Sequence, residues 1–185
     1  MLNLKNASIY GTIFNVMNDI IIMLLIAFWH YVSFRIVIYP KRSFFFKEDH
    51  VVDEEKIIKK EKIYENLLKI KLWKDKIPQY IMKNGFSKKK ISNLNIDYLK
   101  DFISETYRGE INHFICCLII PFLFFISTKK SFLVFSILIL LGNVPFLLVQ
   151  RYNRLRIRRI ILKLKNKNNS GSISPSKKIL KEQRD

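Results

Sequence analysis

The sequence predicts an all-α membrane protein: an N-terminal transmembrane helix, a cytosolic helical subdomain, then a C-terminal transmembrane hairpin and a basic amphipathic helix. Three observations carry this. Apolar residues, 49% of the chain, are bunched into runs, and 15 phenylalanines stand against 5 glycines, a pattern of long helices rather than strands and turns. The apolar runs reach the ~20 residues that a helix needs to cross a bilayer. The 33 Lys and Arg residues, against 15 Asp and Glu, fall in two regions instead of being spread.

Residues 1–40 form the N-terminal membrane segment. Ile20–Phe34 carries no charge, and Ile13–Asn18 extends it to spanning length across Asp19. A signal segment is the alternative, but Lys5 alone would flank it and no small-x-small cleavage site follows. Trp29, His30, Tyr31 and Arg35 suit a passage through the interface, and Pro40 closes the segment.

Residues 41–110 form a basic helical region of mixed charge, with 17 Lys/Arg and 12 Asp/Glu. Ser43–Lys47 (SFFFK) suits the headgroup layer. Val52–Trp73 has apolar residues at helical spacing. Pro78 and Asn84-Gly85 mark turns, and Asn95 caps a helix that runs towards Arg108. Residues 111–150 form the hairpin: Ile111–Ser127, kinked at Pro121, then a tight turn at Thr128–Lys130, then Ser131–Val149.

Residues 151–165 read as a basic interfacial helix. Ile157, Ile160, Ile161 and Leu164 make one apolar stripe, so Arg156–Lys165 is expected to lie on anionic membrane lipids. Residues 166–185 have the composition of a disordered tail. With 12 further Lys/Arg after Gln150, the positive-inside rule places both basic regions in the cytoplasm and the Lys129-Lys130 turn outside. Nucleic-acid binding is disfavoured, because the apolar hairpin leaves no basic and aromatic surface away from lipid. Cys116 and Cys117 are adjacent and apolar in context, and no CxxC or His-rich spacing exists for a metal. No phosphate loop occurs either, and the reading calls for no cofactor.

Three clusters can carry chemistry. Asn143, Gln150 and Arg154 fall within about 20° of one helical direction over three turns. Pro145 adds polarity by freeing a carbonyl one turn earlier. This face is either a functional one or a polar helix–helix contact with ordinary anchors. Arg156, Arg158 and Arg159 read as lipid anchors. The second cluster is Ser104–His113, in which Glu105 and Arg108, and Glu110 and His113, stand at i,i+3 and can touch. A carboxylate beside a histidine raises its basicity, as a general base requires, although exposed helices also show such pairs by chance. The third is Lys69–Pro78, a basic strip around Trp73 and Lys74.

In KIKLWKDKIPQ (Lys69–Gln79), ETYRGEINHF (Glu105–Phe114) and above all NVPFLLVQRYNRLRI (Asn143–Ile157), the sequence resembles the glycosyl-4,4′-diaponeurosporenoate acyltransferases of staphyloxanthin-type carotenoid biosynthesis. The resemblance extends over roughly residues 30–165, with Leu155 where that family usually has proline. It implies transfer of a fatty acyl group, from a fatty acyl thioester donor, to a sugar hydroxyl of a glycosylated carotenoid or similar lipid. On that reading His113, oriented by Glu110, is the base, and Asn143, Gln150 or Arg154 stabilises the oxyanion. Arg108 and Arg151 hold donor phosphate or Glu105, with Asn153, Trp73 and Lys74 also on the substrate side. The alternatives are a small membrane methyltransferase or reductase acting on a prenyl-like lipid, and a non-enzymatic membrane-anchored interaction protein.

Overall fold

A computed structural model describes residues 2–38, 53–78, 91 and 93–169. The expectations for Ser43–Lys47, for Asn84-Gly85 and for the tail beyond residue 169 lie outside the described residues. Among those described, the regular structure is entirely helical: α1 (Leu2–Ile38), α2 (Glu54–Asn66), α3 (Ile70–Trp73) with a 3-10 turn at Lys74–Lys76, α4 (Ile96–Cys117), α5 (Ile120–Ile126) and α6 (Lys129–Asn169). Three stretches, Ile9–Val37, Ile96–Ile126 and Lys129–Lys167, are long and apolar enough to cross a membrane. This is the helical membrane protein that the apolar runs predict.

The helix starts follow from local chemistry. Asp53 caps α2 by accepting the Glu55 amide at 3.0 Å. Asn95 caps α4 by accepting the Asp97 amide at 2.9 Å. Thr128 opens α6 by accepting the Ser131 amide at 3.2 Å. Each relieves one of the amides that a helix start leaves without a partner.

Two boundaries differ from the expectation. Pro121 does not kink one helix. α4 ends at Cys117, and Pro121 lies in the first turn of α5, where its missing N–H costs nothing. Nor is the basic segment 151–165 a separate helix. No breaker follows Val149, so α6 runs through from Lys129 to Asn169 with Pro145 inside it.

The chain divides into two compact units, 1–40 with 111–147 and 41–110 with 148–185. In the first, Ile22 packs with Ile119, Leu123 and Ile139, flanked by Ile26, Trp29, Phe132 and Phe135. The Trp29 indole donates to the Ile115 carbonyl at 2.9 Å, tying α1 to α4 within this unit. Phe122, Phe124 and Phe125 remain exposed, Phe125 at 81%. Apolar surface of that extent belongs in lipid.

In the second unit Leu99, Phe102 and Ile103 of α4 bury Ile157 and Ile160 of α6, with Ile161 and Leu164 at the edge. The apolar stripe expected to lie on lipid is therefore covered by α4. Burying it within the protein removes it from water as effectively as a bilayer surface does.

Candidate functional site

The first unit holds a polar cluster centred on Asn143, which is only 4% exposed. Its Nδ2 donates to the Ile139 carbonyl one turn back, at 2.8 Å. A carbonyl only accepts, so this bond fixes which way the amide faces. Asn143 Oδ1 then lies 3.0 Å from His113 Nδ1. An amide oxygen also only accepts, so Nδ1 carries a proton, and in the neutral form of the ring the lone pair is on Nε2. The His113 ring stacks on Phe146, with centroids 4.8 Å apart and planes at 18°.

The remaining Asn143 amide proton is directed at His30 Nε2, 3.4 Å away. His30 Nδ1 lies 2.9 Å from the Ile26 carbonyl, which makes Nδ1 the donor and Nε2 the acceptor of that ring. All three groups of the Asn143 amide are thus engaged. Pro145 leaves the Leu141 carbonyl without its usual helical amide.

The second unit holds a charged cluster. The Glu110 carboxylate, 13% exposed, accepts from Arg151 Nε and pairs with Arg154 at 2.5 Å. The Arg154 guanidinium lies 3.9 Å from the centre of the Tyr107 ring, and Arg158 donates to the Tyr107 hydroxyl at 2.7 Å. The Gln150 side chain lies against Gly109, where a Cβ would come to 3.0 Å from its amide. A side chain at 109 would displace it, so glycine permits this approach.

Elsewhere in this unit Arg108 bonds Glu105 at 3.2 Å. Tyr152 is fully buried and donates to Glu65 at 2.8 Å. Arg159 meets the buried Glu61 at 3.2 Å. Burial pushes the Glu61 carboxyl above the ordinary carboxylate range, and Arg159 only partly offsets this. Trp73 donates to the Leu68 carbonyl at 2.9 Å, Lys74 bonds Asp75 at 2.9 Å, and Asn153 is 9% exposed. Among the described residues no group of three or more His, Cys, Asp and Glu side chains is placed to hold a metal.

Three expectations change. Glu110 was expected to orient His113, but its carboxylate is engaged by two guanidinium groups, and Asn143 sets the His113 tautomer. Asn143 was an oxyanion candidate, yet both of its amide protons are directed elsewhere. Arg158 and Arg159, expected as lipid anchors, bond Tyr107 and Glu61, and Arg156 sits 5.6 Å from the Tyr152 ring centre.

The model of the glycosyl-4,4′-diaponeurosporenoate acyltransferase family matches residues 41–163. The chain belongs to this family. A glycosyl-4,4′-diaponeurosporenoate acyltransferase of Staphylococcus aureus strain MRSA252 is 28% identical over 127 residues, 66% of this chain and 76% of that protein. The one from strain N315 is 34% identical over 103 residues, 53% of this chain and 60% of that protein. No solved structure matches. The segment matched to the acyltransferase family holds His113, Asn143 and the whole Glu110 cluster but not His30. The sequence places His30 only among the residues of an interfacial passage, because nothing local marks it as part of a site: its partner Asn143 is 113 residues away.

Proposed function

We propose that this chain is a multi-pass cell-membrane acyltransferase with its basic regions in the cytoplasm. It moves a fatty acyl group from a thioester donor to a sugar hydroxyl of a glycosylated carotenoid or a similar glycolipid. The observation that carries the reading is the buried Asn143 amide, which fixes His113 as a ring with its lone pair on Nε2. That is the tautomer a general base needs, held by a neutral orienter.

In the proposed step His113 Nε2 takes the proton of the sugar hydroxyl as its oxygen attacks the thioester carbonyl. The tetrahedral intermediate collapses, the C–S bond breaks, and the imidazolium returns the proton to the departing thiolate. N–H donors at the developing oxyanion are the largest single aid to such a step. With Asn143 engaged, Gln150 and Arg154 are the candidates that the sequence leaves for that role. The arginines at 108 and 151 and the lysine-rich strip with Trp73 and Lys74 serve the anionic donor, which a positive surface attracts. The names of the relatives and the exposed apolar belt of the first unit both favour a long apolar acceptor.

The test is acyl transfer in membranes carrying His113→Gln. The expected result is loss of the acylated glycoside with insertion and abundance unchanged. Retention of wild-type turnover by that variant would remove His113 from the base role.

A further inference from the structure

The reaction as proposed uses His113 and its orienter but gives no work to His30. This ring comes from α1, outside residues 41–163 that the family model matches. We propose that His30 is a positioning residue for the acyl transfer, and that α1 is therefore part of the catalytic unit rather than only an anchor.

The geometry forms a directed chain of hydrogen bonds. The Ile26 carbonyl accepts from His30 Nδ1 at 2.9 Å. His30 Nε2 accepts from Asn143 Nδ2 at 3.4 Å. Asn143 Oδ1 accepts from His113 Nδ1 at 3.0 Å. Every member is typed by a group that can only accept, so the directions are determined from both ends. The Ile139 carbonyl fixes one amide proton of Asn143, and His30 Nε2 takes the other. Together they hold the amide oxygen on His113.

Without the His30 acceptor, one amide proton is left unmet in a buried place, the amide turns out of its Ile139 bond to seek another partner, and the His113 ring samples its other tautomer. That tautomer carries its proton on Nε2 and cannot act as a base there. α1 is fixed beside this chain by an independent contact, from the Trp29 indole to the Ile115 carbonyl. The Ser33 hydroxyl, one turn along, is bonded to the Trp29 carbonyl at 2.7 Å.

The inference rests on the acyl-transfer reading for its catalytic consequence, but the tautomer can be read without any substrate. The chain has three histidines, His30, His50 and His113. Imidazole 15N spectra of the full-length protein in detergent resolve protonated from unprotonated ring nitrogens, and His113→Gln assigns the signal. The wild type is expected to show His113 protonated at Nδ1 only.

His30→Leu is expected to give a mixture of the two tautomers. His30→Gln, which places an amide oxygen near the lost Nε2, restores the single form. In acyl-transfer assays His30→Leu lowers kcat about 10-fold with KM within twofold, well short of the ~10²–10⁴ for loss of a general base, and His30→Gln recovers most of it. A His113 spectrum unchanged by His30→Leu overturns the proposal whatever the activity. If instead the spectra behave as expected but His113→Gln keeps full turnover, the base reading fails and the positioning of the ring by His30 stands.

Discussion

Replacing Asn143 by leucine removes the amide at nearly constant volume and isolates its role. Three bonds are lost, to Ile139, His30 and His113. The Ile139 carbonyl sits within α6, so the loss there is small. The two ring nitrogens are different, because each is left in a half-buried place without the amide that met it. An orphaned buried group costs about 1–3 kcal/mol, and partial exposure puts each near the lower end, so about 2 kcal/mol of stability in all. Catalysis suffers more. A histidine released from its orienter and held in the wrong tautomer costs up to ~10⁴ in kcat in the serine-protease triad, so a loss on the order of 10²–10⁴ is expected here. The assay pairs thermal unfolding in detergent with single-turnover acyl transfer in membranes. A folded Asn143→Leu protein with activity within a few-fold of wild type would refute the orienting role.

Other outcomes follow from the second unit. Gly109→Ala gains about 1 kcal/mol of helix propensity but presses a Cβ to 3.0 Å from the Gln150 amide. Turnover is expected to fall while the unfolding temperature holds or rises, and unchanged turnover would free Gln150 of a role in the reaction. Glu110→Leu strands the Arg154 guanidinium, which is 11% exposed at the side chain, and chemical denaturation is expected to show a loss of about 3–5 kcal/mol. The Glu61 carboxyl is raised in the fold from its ordinary 4.5 by burial first of all. The folded state therefore binds the proton more tightly, and this contribution is full below about pH 4.5 and lost as pH climbs through the raised value. Glu61→Gln, which mimics the protonated form, should flatten the fall of unfolding temperature with rising pH above 4.5, and parallel profiles for the two proteins would contradict that origin.

The helices were legible because apolar periodicity and spanning length are local properties. The cap at Asn95 and the tight turn at Thr128–Lys130 were legible for the same reason. What the sequence does not carry is which surface covers an apolar stripe. Ile157 and Ile160 meet the demand of an interfacial helix and of a packed one equally, and only the position of Leu99 and Phe102 decides between them. The same holds in the candidate site. Glu110 and His113 stand at i,i+3 and look like partners, but Arg151, 41 residues on, offers Glu110 a full opposite charge. A guanidinium pair outcompetes a neutral ring for a carboxylate. Asn143 was visible as a polar residue inside an apolar run. Its meaning came from His30 and His113, which reach it from different helices.

The most direct test is the mass of the glycoside in a host that makes a glycosylated carotenoid. With the wild-type chain the glycoside should gain the mass of one fatty acyl group, and with His113→Gln, equally inserted, it should not. A glycoside of unchanged mass in the presence of the wild-type protein would contradict the account.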